Sequence, residues 1–150
     1  MQTATFITYA EGALDYGIVG ILVIMSIVTL WLFIERLMFY SSVNVEDYDE
    51  KDALELDLSD NLGTIGAMGA NAPYVGLLGT VLGIMLTFYS LGDVGAVDAK
   101  KIMMGLALAL KATALGLVVA IPAIAFYTIL LRKMEKIIVK FDLFHKAQER

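Results

Sequence analysis

The sequence predicts an all-α membrane protein, three transmembrane helices with long cytoplasmic extensions. Three observations carry that prediction. Mean hydropathy is +0.75 and 59 % of the 150 residues are hydrophobic, too apolar for a soluble domain of this size. The apolar residues fall into three runs, each long enough for the ~20 residues that cross a hydrocarbon core. Within the second and third runs, glycine, alanine and threonine recur at helical spacing, which builds faces for tight helix packing.

The elements follow in order. Residues 1–15 read as a short polar lead, expected as a helix at the membrane interface. The first span covers 16–40; Trp31 and Phe33 lie toward its end, and Glu35–Arg36 read as an interfacial anchor pair. Residues 41–62 carry eight carboxylates and one lysine, so they lie outside lipid. They lack the glycine-turned loop of a calcium site and read as a solvated acidic linker or short helix. Ser59 and Asp60 are candidate caps for the next helix. The second span, 64–91, contains Pro73, which either kinks it or marks a helix start. A glycine-rich loop with Asp93 and Asp98 follows over 92–101. The third span runs over 102–131, with Pro122 expected to kink or loosen it. In the tail, 132–150, Met134, Ile137, Ile138, Phe141 and Phe144 form an apolar seam with charges opposite. Such a tail is expected to be helical and bundled with copies of itself.

Charge sets the expected topology. The tail holds six Lys or Arg and Arg36 ends the first span, whereas 1–15 holds none. The positive-inside rule then puts the C-terminus and the acidic linker in the cytoplasm, and the N-terminus and 92–101 in the periplasm. The first residues lack the basic start of a cleavable signal, so the first span is expected to be retained. The absence of cysteine excludes disulfides and thiolate metal sites, and His145 alone makes no metal cluster. No nucleophile–base set, phosphate loop or cofactor motif is present, so an enzyme is not expected. Nothing points to nucleic acid.

The candidate functional residues lie in the second and third spans. Asn71–Met85 reads NAPYVGLLGTVLGIM, and Gly76, Gly79, Thr80, Gly83 and Thr87 share one helical stripe. Gly105, Ala109, Ala112, Gly116, Ala120 and Ala123 make a second stripe. Two such faces are expected to drive oligomerisation. Counted from the periplasmic loop, Thr80 and Thr113 both lie roughly 16 Å deep, near the bilayer midplane. Two threonines at one depth suggest a polar constriction, with the stripe as one wall of a central pore. Lys111 lies near the same depth, about 200° around the helix from Thr113. An ionisable group there is a functional candidate. No acid is expected at its level, since Glu35 belongs to the cytoplasmic interface. Lys111 is therefore expected to be neutral, wetted by a cavity, or paired with an acid on another chain.

NAPYVGLLGTVLGIM together with KATALGLVVAIPAIAFY (Lys111–Tyr127) resembles the paired signature of the ExbB/TolQ/MotA family of proton-driven motor subunits, nearest its ExbB branch. The resemblance implies a pentameric homo-oligomer around membrane helices of an ExbD-like single-span partner that carries a protonatable aspartate. A TonB-like transducer would pass the work to outer-membrane transporters. It implies an inner-membrane location in a Gram-negative bacterium, membrane lipids around the first span, and Thr80 and Thr113 lining the pore. The family usually has glutamate five residues before the third-span threonine; that position is Leu108, and Lys111 stands where an apolar residue is usual. The alternatives are a TolQ-like subunit of the Tol-Pal envelope system, a small proton-coupled transporter, or a structural assembly factor.

Overall fold

The computed structural model describes residues 2–91 and 99–148. The chain folds as α1 (Gln2–Ser42), a 3-10 turn (Val45–Asp47), α2 (Lys51–Ser59), α3 (Leu62–Leu91) and α4 (Ala99–Gln148). Three of these helices are long and apolar enough to cross a membrane. Of the glycine-rich loop expected over 92–101, residues 92–98 with Asp93 and Asp98 lie outside the described residues, and the rest, from Ala99 on, already belongs to α4.

The expected break between a polar lead and a first span is absent, because α1 runs unbroken from Gln2 to Ser42. Both prolines sit inside helices: Pro73 within α3 and Pro122 within α4. A proline removes one backbone hydrogen bond, and in lipid the neighbouring helices make that tolerable.

The acidic segment takes the short-helix form, α2, and is an ordered clasp. Its carboxylates face water while Leu54 and Leu58 of α2 are wholly buried, in one core with Tyr40, Leu62, Ile65, Leu130 and Phe141. Arg36 closes this end. It is buried, pairs with Glu35, and donates to the carbonyls of Asp57 at 3.1 Å and Asp60 at 3.4 Å. A buried guanidinium needs such partners, and these satisfy the C-terminal carbonyls of α2 as they do so. The Tyr40 hydroxyl donates to the Leu58 carbonyl at 2.6 Å. Glu35 and Arg36 therefore also tie α1 to the end of α2 and the start of α3.

One smaller expectation is corrected here. Ser59 caps nothing ahead of it, since its hydroxyl donates back to the Leu56 carbonyl at 3.0 Å. The apolar seam of the tail is covered within the chain: Met134, Ile137, Ile138 and Phe141 pack against the α2 core. The tail is helical, and α2 covers part of its apolar seam within the chain.

The α3–α4 seam is made by the two small-residue stripes facing each other. A Cβ on Gly76 would stand 2.6 Å from the Ala112 carbonyl oxygen and 3.0 Å from Thr113 Cα. One on Gly116 would stand 2.7 Å from the Ala72 oxygen. These are backbone atoms, so only glycine allows this approach. The two faces expected to seek other chains satisfy each other in one chain. α1 lies across both helices, with Ile18, Leu22 and Met25 buried in a core that includes Ala72, Ala112 and Ala120.

Candidate functional site

Glycine spacing brings α3 and α4 close enough for short polar side chains to meet. Thr80 on α3 is 7 % exposed, and its Oγ1 lies 2.5 Å from Thr113 Oγ1 on α4. The Thr80 hydroxyl also reaches the Ala109 carbonyl at 2.9 Å. Thr113 is half-buried, so the pair runs from the closed seam to its edge.

Each hydroxyl carries one proton and two lone pairs, which gives the pair two arrangements. In one, Thr113 donates to Thr80 and Thr80 donates to the Ala109 carbonyl. The edge of the seam then presents an acceptor. In the other, Thr80 donates to Thr113 and the Thr113 proton points outward as a donor. Rotation of two hydroxyls interconverts them without changing net charge. A protonated carboxyl is matched by the first arrangement and a carboxylate by the second. The seam can serve both protonation states of an acid placed beside it.

Next to the seam, α1, α3 and α4 line an open cavity of about 330 Å³ that neither threonine of the pair lines. Gly79, Gly83, Gly105, Ala109 and Ala112 form its small-residue walls; Asp15, Thr87 and Leu108 also line it. Leu108, where the resemblance implied a glutamate, is 57 % exposed and lies five residues, about 1.4 turns, before Thr113. Thr87 donates to the Gly83 carbonyl at 2.9 Å. Pro122 is exposed on α4, away from the buried Ala120 and Ala123.

Lys111 does have an acid at its own level, in its own chain. Its Nζ lies 3.2 Å from Asp15 Oδ2 on α1. The expectation that no acid stands there fails because 1–15 is part of the same continuous helix and not a separate lead. Matching spacings held the signal. Asp15 to Arg36 and Lys111 to Arg132 are both 21 residues, about 31 Å of helix. Counting both helices back from these two arginines puts Asp15 and Lys111 at one height.

This arrangement, a three-span hairpin-plus-brace with a hydroxyl pair across a glycine seam, defines a helical membrane protein built around a tight polar seam. The sequence model of the MotA/TolQ/ExbB proton channel family matches residues 33–143, and the chain belongs to that family. Biopolymer transport protein ExbB of Helicobacter pylori strain J99 is 54 % identical over 129 residues, covering 86 % of this chain and 89 % of that protein. The protein of the same name from Aquifex aeolicus is 52 % identical over 132 residues, covering 88 % of this chain and 89 % of its own. That of Pseudomonas putida is 36 % identical over 107 residues and is matched over only 32 % of its length.

Proposed function

We propose that this chain is the proton-channel subunit of an inner-membrane motor that couples proton motive force to active transport across the outer membrane. The family and the names of its relatives support a transport role. The observation that carries the proposal is the Thr80–Thr113 hydroxyl pair, bonded across the α3–α4 seam with Thr113 at its edge. Copies of the chain form a ring, pentameric by resemblance, around an ExbD-like helix bearing one protonatable carboxylate. The carboxylate meets the hydroxyl pair in a site of low polarity, where the charged form is costly. The two hydroxyl arrangements accept from the acid and donate to the carboxylate, so protonation and release proceed without a charge on the wall. A TonB-like protein carries the work outward. The N-terminus is periplasmic and the basic tail cytoplasmic, and the subunit performs no covalent chemistry.

Thr80→Val with Thr113→Val tests this. Valine is close to threonine in shape, and the double change removes both hydroxyls, so neither is left facing an unpaired partner. The expected outcome is loss of proton-dependent uptake of outer-membrane cargo while the assembled complex persists in the membrane. Uptake at the wild-type rate from the double variant would refute the role given to the pair.

A further inference from the structure

The Asp15–Lys111 pair joins residues 96 positions apart and ties α1 to α4. Its place in the membrane follows from helix arithmetic. Lys101 and Arg132 bound the apolar part of α4, about 46 Å apart at 1.5 Å per residue. A hydrocarbon core of about 30 Å centred between them leaves about 8 Å at each end. Lys111 is about 15 Å from Lys101, so on this centring it stands about 7 Å inside the hydrocarbon, shallower than the near-midplane depth expected by counting from the loop. A lone charge at that depth is costly, and an opposite charge on the neighbouring helix offsets part of the cost, whereas removing one partner strands the other.

The pair also continues a buried face. Asp15 and Ile18 are one turn apart on α1, and the same face carries the buried Leu22, Met25 and Thr29. Ile18 Cγ2 lies 3.0 Å from where a Cβ on Gly79 would stand, on the flank of the hydroxyl seam. α1 is thus wedged into the α3–α4 hairpin by Ile18 and held one turn further out by a charge pair. Lys111 points away from Thr113, and its charge is met inside the chain.

We propose that Asp15 and Lys111 form an intramembrane latch within one chain, which fixes α1 on the α3–α4 hairpin so that all three helices work as one rigid wall segment. This deepens the motor reading above and rests on it. Lys111 is then a positioning residue that holds the wall in shape, and it is not the counter-charge of a partner's acid.

The test uses the full complex in membranes. Lys111→Ala and Asp15→Ala each strand one charge and are expected to lower proton-dependent uptake about tenfold or more. Asp15→Lys combined with Lys111→Asp restores the pair and is expected to return uptake to within about threefold of wild type. Wild-type uptake from either single variant, or an exchange variant as defective as the singles, overturns the latch. A second measurement holds even where the single variants fail to assemble. The chain has no cysteine, so Asp15→Cys with Lys111→Cys places its only two thiols at the latch. A short bifunctional thiol reagent is expected to link them within one chain, with uptake retained after linking. Linkage between two chains, or uptake lost only on linking, overturns the proposal. If the unmodified complex drives no proton-dependent uptake, the motor reading has failed, while the linkage pattern still judges the latch.

Discussion

At the scale of single residues, the closest contacts are made where side chains are absent. Gly76 has the Ala112 carbonyl oxygen 2.6 Å from its missing Cβ, so even one methyl group must push two helix backbones apart. Gly76→Ala is expected to cost about 1–3 kcal/mol, as overpacking does. Gly63, on the same helix, has nothing within 4 Å of the added Cβ. Gly63→Ala is therefore expected to be neutral or slightly stabilising through helix propensity. Thermal unfolding of the two variants in detergent checks the contrast. The glycine and alanine stripes are legible in the sequence because period is a one-dimensional property. Which surface each stripe meets is not, since small residues pack equally well on a neighbour in the same chain or in another.

At the scale of elements, α2 is held by groups whose protonation can be followed. The Tyr48 hydroxyl donates to Asp57 Oδ2 at 2.8 Å, and Lys51 Nζ lies 2.8 Å from Asp142 Oδ2 on α4. The hydrogen bond to the Asp57 carboxylate holds the Tyr48 phenol above its usual range, and the bond to Asp142 does the same for the Lys51 ammonium. Both groups bind their proton more tightly in the folded state. Their contributions are therefore complete at neutral pH and are lost as pH rises through the raised values, in strongly alkaline solution. Asp57→Asn is expected to return the Tyr48 titration toward the ordinary tyrosine range. Ultraviolet titration of the variant, with Tyr48→Phe as the blank, reads the shift. The acidic composition of 41–62 signals that these residues are solvated, yet two leucines four apart, Leu54 and Leu58, are enough to seat a helix whose other face is charged.

At the scale of the whole molecule, the apolar surface left over is extensive. Ile24, Ile27 and Trp31 on α1, Leu77, Val81 and Met85 on α3, and Leu110, Val118 and Ile121 on α4 are all exposed. Lipid can cover one such face, while a ring of subunits covers more and encloses a path. The proposed pentamer has a mass of five times 16.3 kDa. Native mass measurement of the detergent-solubilised complex is expected to show that multiple, with any partner chain adding to it. A single-chain mass under conditions that retain activity would exclude the ring.

The sequence by itself determined the solvent, the number of spans, the depth shared by Thr80 and Thr113, and the family. Each of these depends on local composition, periodicity or a short ordered motif. Only the tertiary structure decided the partners. The two small-residue stripes face each other across a seam that closes over Thr80 and leaves Thr113 at its edge, and α2 covers the seam of the tail. Arg36 reaches carbonyls 21 and 24 residues away, and Lys111 meets Asp15 from the far end of the chain. Pairings of this kind depend on how helices cross and at what height. Spacing along one helix sets height to within a turn, but only packing selects which neighbour stands there.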